Sequence, residues 1–165
     1  MEKTKKEKAF ILFQNNAAKT YSSLGYSADI SNCILGIIIT MRDIVLSAES
    51  RDTILLHKHM GECAWYIANY ASANNIKLAD ILSDFDYTSI ESKLELSDLE
   101  SYLQMIKDDL SFVKEMSESE KKEFIQKTWV SLFPEDYYTD FLKTDRILKT
   151  KTQEDKIKFP NKFLS

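Results

Sequence analysis

Apolar positions recur at intervals of three and four along most of this chain, the spacing of one face of an α-helix. The densest such stretch reads His59-Met60-Gly61-Glu62-Cys63-Ala64-Trp65-Tyr66-Ile67-Ala68-Asn69-Tyr70-Ala71. As a helix it sets Met60, Cys63, Ala64, Ile67 and Ala71 on one side. Gly61 leaves room for a packed partner or a ligand to come close. His59 and Glu62 stand one turn apart and face the same point. The pattern predicts a helix from about Asp52 to Ala73. Asn74-Asn75 then tolerate the left-handed backbone that ends helices, and a short helix follows from about Lys77 to Ser83.

The same spacing predicts a first helix over about Glu7 to Ser23, with Phe10, Phe13, Ala17, Tyr21 and Leu24 inward and Gly25 as its stop. Ser27 or Asp29 suits the N-cap of a second helix reaching about Ser50. Ile30, Ile34, Ile37, Ile38, Met41, Ile44, Val45 and Ala48 form a broad stripe on it, and Leu35, Ile39 and Leu46 add apolar surface elsewhere. A helix apolar nearly all round is covered on several faces, which in a small domain points to a subunit interface, a homodimer through helix two. Asp84 to Glu95 reads as a linker. Ser97-Asp98-Leu99-Glu100 and Ser117-Glu118-Ser119-Glu120 both have capping-box form. Leu99, Tyr102, Leu103, Ile106, Leu110 and Val113 make one stripe. Phe124, Ile125, Trp129 and Leu132 make another, which Pro134 stops. Glu135 to Leu148 gives one more helix, with Tyr138, Phe141 and Leu142 inward. The divisions are a flexible charged N-terminus (1–9), a helical core (10–95), a C-terminal helical extension (96–148) and a basic tail (149–165). No internal repeat is evident.

Composition narrows the picture. With 165 residues, 44% of them hydrophobic, the chain is long enough for one cored domain. Three glycines and two prolines disfavour a turn-rich β-protein. The net charge of −4 argues against a general nucleic-acid binder. Lysines concentrate at the two ends, and the middle is acidic. Cys33 and Cys63 lie within apolar helical patterns and read as small buried hydrophobes rather than a disulfide framework. The apolar run from Cys33 to Met41 is short for a membrane span, and the charged N-terminus lacks a signal-peptide core. A cytoplasmic protein is the expectation. No phosphate-binding Gly-rich loop, Cys/His metal spacing or nucleophile motif occurs.

The run Gly61-Glu62, Trp65-Tyr66-Ile67-Ala68 and then Leu78-Ala79-Asp80-Ile81 resembles the third and fourth helices of the MazG-like all-α nucleoside triphosphate pyrophosphohydrolases. Phe13-Gln14-Asn15-Asn16-Ala17-Ala18-Lys19-Thr20 resembles the opening of the same family, and Leu35-Gly36-Ile37 resembles the segment before its first acidic pair. The likeness covers about residues 10–82. It implies a MazG-like four-helix core, here with two or three additional C-terminal helices, and a reaction that splits a nucleoside triphosphate into monophosphate and pyrophosphate. In that chemistry Mg²⁺ neutralises the triphosphate and activates water, and carboxylates are its natural ligands. The family carries Glu-x-x-Glu on helix two and Glu-x-x-Asp on helix three. Here these positions fall on Thr40 and Asp43, and on His59 and Glu62. Two carboxylate positions, Thr40 and His59, are lost, and Arg42 places a positive charge beside the set. By the same likeness Lys19 and Trp65 are candidates for nucleotide contact, although residues such as Trp65 and Tyr66 are more often part of a core or an interface.

Three readings of these residues compete. In the first the fold persists without turnover, no cofactor is needed, and the protein acts by binding a nucleotide or a protein partner. In the second, Asp43, His59 and Glu62 hold a divalent ion, Mg²⁺ or Mn²⁺, with Zn²⁺ also suited to the nitrogen ligand, in a working pyrophosphohydrolase. In the third, other carboxylates such as Glu49 or Asp52 serve an ordinary site. A pure protein-interaction module using the C-terminal helices is the remaining function class. His57 and His59 lie on opposite sides of their helix and make no metal pair. The acidic runs Asp108-Asp109 and Glu118, Glu120, Glu123 read as solvated faces.

Overall fold

The second and third helices form a hairpin whose turn contains no glycine. Helix two ends with Arg51 in the left-handed region at φ 60°. The Asp52 N–H reaches the Ser47 carbonyl at 3.1 Å and the Arg51 N–H reaches that of Ala48 at 3.2 Å, the two bonds of a Schellman cap. Asp52 at once becomes the next N-cap, its carboxylate accepting from the Leu55 N–H at 3.0 Å. Helix three closes in the same way. Asn75 has φ 57°, Ile76 N–H bonds the Ala71 carbonyl at 2.8 Å and Asn75 N–H bonds that of Ser72 at 3.1 Å. The Asn74-Asn75 stop expected from sequence is thus realised through Asn75.

This is a computed structural model describing residues 4–21, 30–85, 101, 104, 116–133 and 141–163, without the side chains of 141–143. Among the described residues the protein is all-α. Its helices are α1 (Lys5–Tyr21), α2 (Ile30–Glu49), α3 (Thr53–Ala73), α4 (Leu78–Leu82), α5 (Glu118–Leu132) and α6 (Phe141–Lys158), followed by a 3₁₀ turn at Pro160–Phe163. The expected stop at Gly25, the caps at Ser27 or Asp29, the Ser97 box, Pro134 and Tyr138 lie outside the described residues.

The central element is α3, which packs against α1, α2, α5 and α6. The face expected from sequence, Met60, Cys63, Ala64, Ile67 and Ala71, is buried, and Trp65, Ala68, Asn69 and Tyr70 are buried as well. An amphipathic helix became an enclosed one because α5 and α6 cover its other sides. Two glycines let this happen. A Cβ on Gly36 would collide with the Tyr66 ring, so the ring packs directly against the α2 backbone there. A Cβ on Gly61 would meet Lys151 Cβ at 3.2 Å, so the close approach expected at Gly61 is that of α6.

By length and composition α2 is apolar enough to cross a bilayer. Its inner face, including Cys33, Ile34, Ile37, Ile38 and Met41, is instead buried in the core formed with α3. Gln14 on α1 clamps the α3–α4 turn. Its amide donates to the Ile76 carbonyl at 2.8 Å and to Ser72 Oγ at 3.1 Å, and accepts from the Leu78 N–H at 2.8 Å. Each such bond contributes about 1 kcal/mol net, so this side chain holds the start of α4 where no cap on Lys77 does.

The C-terminal elements are integral to the core. The Ser117–Glu120 capping box is formed in both directions. Trp129 on α5 is fully buried, edge-on to Phe10 at 5.3 Å and tilted against Phe133 at 4.9 Å. Of the acidic run on α5, Glu118 pairs with Lys122 and Glu123 with Lys127 along the exposed helix face; such pairs contribute a few tenths of a kcal/mol.

Two divisions differ from expectation. Residues 5–9 are helical rather than flexible, because Thr4 caps α1 by accepting from the Glu7 N–H at 3.1 Å. Residues 149–158, expected as the start of a basic tail, are the second half of α6. Ile147, Leu148 and Asp155 continue the three- and four-residue spacing, and they are buried.

Candidate functional site

The four positions aligned with the carboxylate pairs of the resembled family sit on the α2–α3 hairpin. Asp43 lies one turn beyond Thr40 on α2, and Glu62 one turn beyond His59 on α3. The structure brings His59 and Glu62 together, Nδ1 to Oε2 at 3.3 Å, with both side chains partly exposed. Thr40 turns inward. It is buried, and its hydroxyl donates to the Gly36 carbonyl at 2.7 Å and the Ile37 carbonyl at 3.0 Å of its own helix. A hydroxyl engaged in this way offers a cation nothing that a carboxylate would.

Beside it the Cys63 thiol donates to the Ile37 carbonyl at 3.9 Å. Burial pushes that thiol from its ordinary 9.0 up to about 12; the Thr40 hydrogen bond pulls the other way, and the Glu62 charge adds to the rise. The thiol is therefore an inert part of the interface rather than a nucleophile. Burial, with the Glu62 charge second, also raises the Tyr66 hydroxyl above its usual value.

Asp43 is half-buried on α2, and Arg42 and Ile39 are exposed. Among the described residues no group of three or more His, Cys, Asp and Glu side chains is placed to hold a metal. Of the expected Asp43, His59 and Glu62, the structure pairs His59 with Glu62. Mg²⁺ favours near-octahedral oxygen ligands, and a buried threonine, one imidazole and two carboxylates fit it poorly.

The two candidates for nucleotide contact are placed apart. Lys19 is exposed and lines a groove between α1 and α6. Trp65 is buried, and its indole N–H donates to Thr20 Oγ1 at 2.6 Å. Tyr21 lies against its ring at 5.2 Å, the Tyr66 ring stands edge-on at 5.0 Å, and Lys151 Nζ lies over it at 5.4 Å. Of the two uses left open for Trp65, the geometry is that of a core residue.

What joins these elements is a polar cluster that sequence reasoning missed. Thr20 donates to the Ala17 carbonyl at 3.1 Å and, at 3.4 Å, to Asp155 Oδ2. The other carboxylate oxygen of Asp155 accepts from Lys151 Nζ at 2.8 Å. Both charged side chains are largely withdrawn from water. The cluster ties α6 to α1 and, through Trp65, to α3. A signal for it lay in the i, i+4 spacing of Lys151 and Asp155 in phase with Ile147 and Leu148.

Compared with family models, with curated proteins and with solved structures, the chain matches none.

Proposed function

We propose that this chain is a catalytically impaired MazG-like protein that acts by binding a nucleotide or a protein rather than by turnover. In this reading α1 to α4 are the MazG-like core and α5 and α6 are additions that enclose it. The observation that carries it is Thr40. Where the resembled family has its first carboxylate, this chain has a buried hydroxyl satisfied within its own helix. Two-metal hydrolysis needs a carboxylate there to balance the charge of the ions and the triphosphate.

The test offers purified protein the nucleoside triphosphates with Mg²⁺, Mn²⁺ and Zn²⁺ in turn and measures pyrophosphate. The expected outcome is release at background level, unchanged in an Asp43→Ala/Glu62→Ala variant. Turnover at an enzyme-like rate that this variant loses would sink the proposal. It would favour the alternative, an active pyrophosphohydrolase with an altered metal site, whose structural support is the His59–Glu62 pair. Tight Mn²⁺ or Zn²⁺ binding that vanishes in His59→Ala would mark that alternative directly.

We infer that the partner at α2 is a second copy of this chain. In the described structure α2 packs chiefly on α3, and its outer side shows Ile39 at 46% and Leu46 at 47% exposure. With Leu35 and the exposed Arg42 they lie on one line at helical spacing, a largely apolar strip with one charge in it that a symmetric copy would cover. Ile39→Asp/Leu46→Asp is expected to sediment as a monomer at concentrations where the unaltered chain is a dimer. A monomeric unaltered chain, or a dimer indifferent to the substitutions, would remove α2 from the interface. The reading places the protein in the cytoplasm, in keeping with two buried free cysteines.

A further inference from the structure

A second surface has no part in the α2–α3 chemistry. Between α1, α6 and the 3₁₀ turn lies an open groove of about 630 Å³, within the usual size range of small-molecule sites. Lys5, Lys8 and Lys19 line it from α1, and Lys149 and Lys156 from α6. Asp145 is the one carboxylate among the described residues that line it, and it pairs with Lys149 at 2.7 Å. A chain of net charge −4 thus concentrates positive charge at one place, which draws anions toward it. The floor is apolar. Phe13, Leu148 and Phe163 contribute to it, as does Leu12, which is 61% exposed although it lies among lysines. At one end Lys19 and Lys156, from different helices, both approach the Phe163 ring, with Nζ at 5.8 and 5.9 Å from its centroid. An anion seated beside that ring would meet the ammonium groups of both lysines.

We propose that this groove binds a small amphipathic organic phosphate, the phosphate between Lys19 and Lys156 and the apolar body along Leu12 and Leu148. Phosphate suits the site because lysine binds it as a point charge without the fixed fork geometry that arginine imposes. The apolar floor distinguishes the ligand from a bare ion, since burying Leu12 against an alkyl or ring body is favourable in proportion to the area covered. Lys19 and Leu12 lie within the segment that resembles a pyrophosphohydrolase, whereas Lys149, Lys156 and Phe163 lie outside it, and the proposal is argued from the lining of the groove and not from that resemblance. Two sources offer this chemistry, a soluble phosphate ester and a phospholipid headgroup.

The experiment titrates the full chain with octyl phosphate, octanol and inorganic phosphate by calorimetry, and with phosphatidate-containing vesicles by co-sedimentation. Octyl phosphate is expected to saturate one site per chain, about tenfold or more tighter than either fragment, and to weaken with added salt. Lys19→Glu/Lys156→Glu is expected to lose about tenfold or more in affinity, and Leu12→Ser to weaken the octyl ester while leaving inorganic phosphate unchanged. Lys122→Glu/Lys127→Glu on α5 makes the same charge change away from the groove and is expected to have no effect. Vesicle binding that octyl phosphate competes away would identify the headgroup as a source; vesicles ignored while the soluble ester binds would identify the soluble one. The proposal is overturned by absence of saturable binding of octyl phosphate, by equal affinity for inorganic phosphate, by indifference to Lys19→Glu/Lys156→Glu, or by vesicle binding that octyl phosphate does not displace.

Discussion

Asp155→Ala is expected to lower the melting temperature by roughly 10 °C, from a loss of about 3 kcal/mol in a chain of this size. The carboxylate it removes holds Lys151 at 2.8 Å and receives Thr20 at 3.4 Å. Without it Lys151 is left as an uncompensated, mostly buried charge over the Trp65 ring, and Thr20 keeps only its own helix carbonyls as acceptors. The loss falls toward the lower end of the range for broken buried pairs because Lys151 retains some contact with water along its stem. The pair itself need not be a large net stabiliser, since withdrawing two charges from water offsets most of their attraction. Replacing both, as Lys151→Met/Asp155→Leu, is therefore expected to recover most of the stability that Asp155→Ala loses. Thermal unfolding of the two variants beside the unaltered chain checks this. A single variant as stable as the parent, or a double variant no better than the single, would mean that α6 is held by apolar contacts alone.

The difference between that helix and its appearance in sequence is instructive. The α3 face was legible because its signal is local: five small or apolar residues at helical spacing, then two asparagines, of which Asn75 adopts the left-handed geometry that its short polar side chain tolerates. The Ser117–Glu120 box was legible for the same reason, as both halves lie within one turn. The second half of α6 was obscured by its charge. Lys149, Lys151, Lys156 and Lys158 read as a solvated tail, yet Lys151 and Asp155 satisfy each other and point inward. The hydroxyl donor on α1 that gives Asp155 its purpose, Thr20, is 135 residues away in the chain, a separation that no window of periodicity spans. Gln14 is similar: it looked like part of a motif, and its structural task, holding a turn more than 60 residues later, is invisible until the helices meet. The turn at Arg51 fell between the expected end of helix two near Ser50 and the expected start of helix three near Asp52, but its left-handed backbone gave no glycine or asparagine to announce it. At the α2–α3 face the positions aligned with the carboxylate pairs were readable. Whether Thr40 faced solvent or its own helix was not, because a threonine can serve either way.

Raising the pH from 9 toward 12 is expected to remove several kcal/mol of stability, and two residues carry the effect. Cys63 rises from 9.0 to about 12 on folding. Tyr70 rises from 10.0 to about 12, burial again being the largest cause and the Cys33 thiol the second. Below pH 9 both groups are protonated in the folded and unfolded chain, so this stability is fully present. Above the ordinary value the unfolded chain releases its protons while the folded chain keeps them, so folding is progressively disfavoured until the folded values are reached. The free-energy difference is about 4 kcal/mol for Cys63 and about 3 kcal/mol for Tyr70, at 1.36 kcal/mol per unit. Lysines and other tyrosines also titrate in this window, so the informative quantity is a difference between proteins. Urea unfolding at pH 8, 9, 10 and 11 is expected to show a markedly shallower decline for Cys63→Ala/Tyr70→Phe than for the unaltered chain. At pH 8 Tyr70→Phe alone is expected to be no less stable than the parent, because among the described residues the buried Tyr70 hydroxyl has no hydrogen-bond partner and its removal relieves a desolvation cost. Identical alkaline slopes in the double variant and the parent would show that the α3 interface opens before either group ionises, and that α3 is less enclosed in solution than its packing against four helices implies.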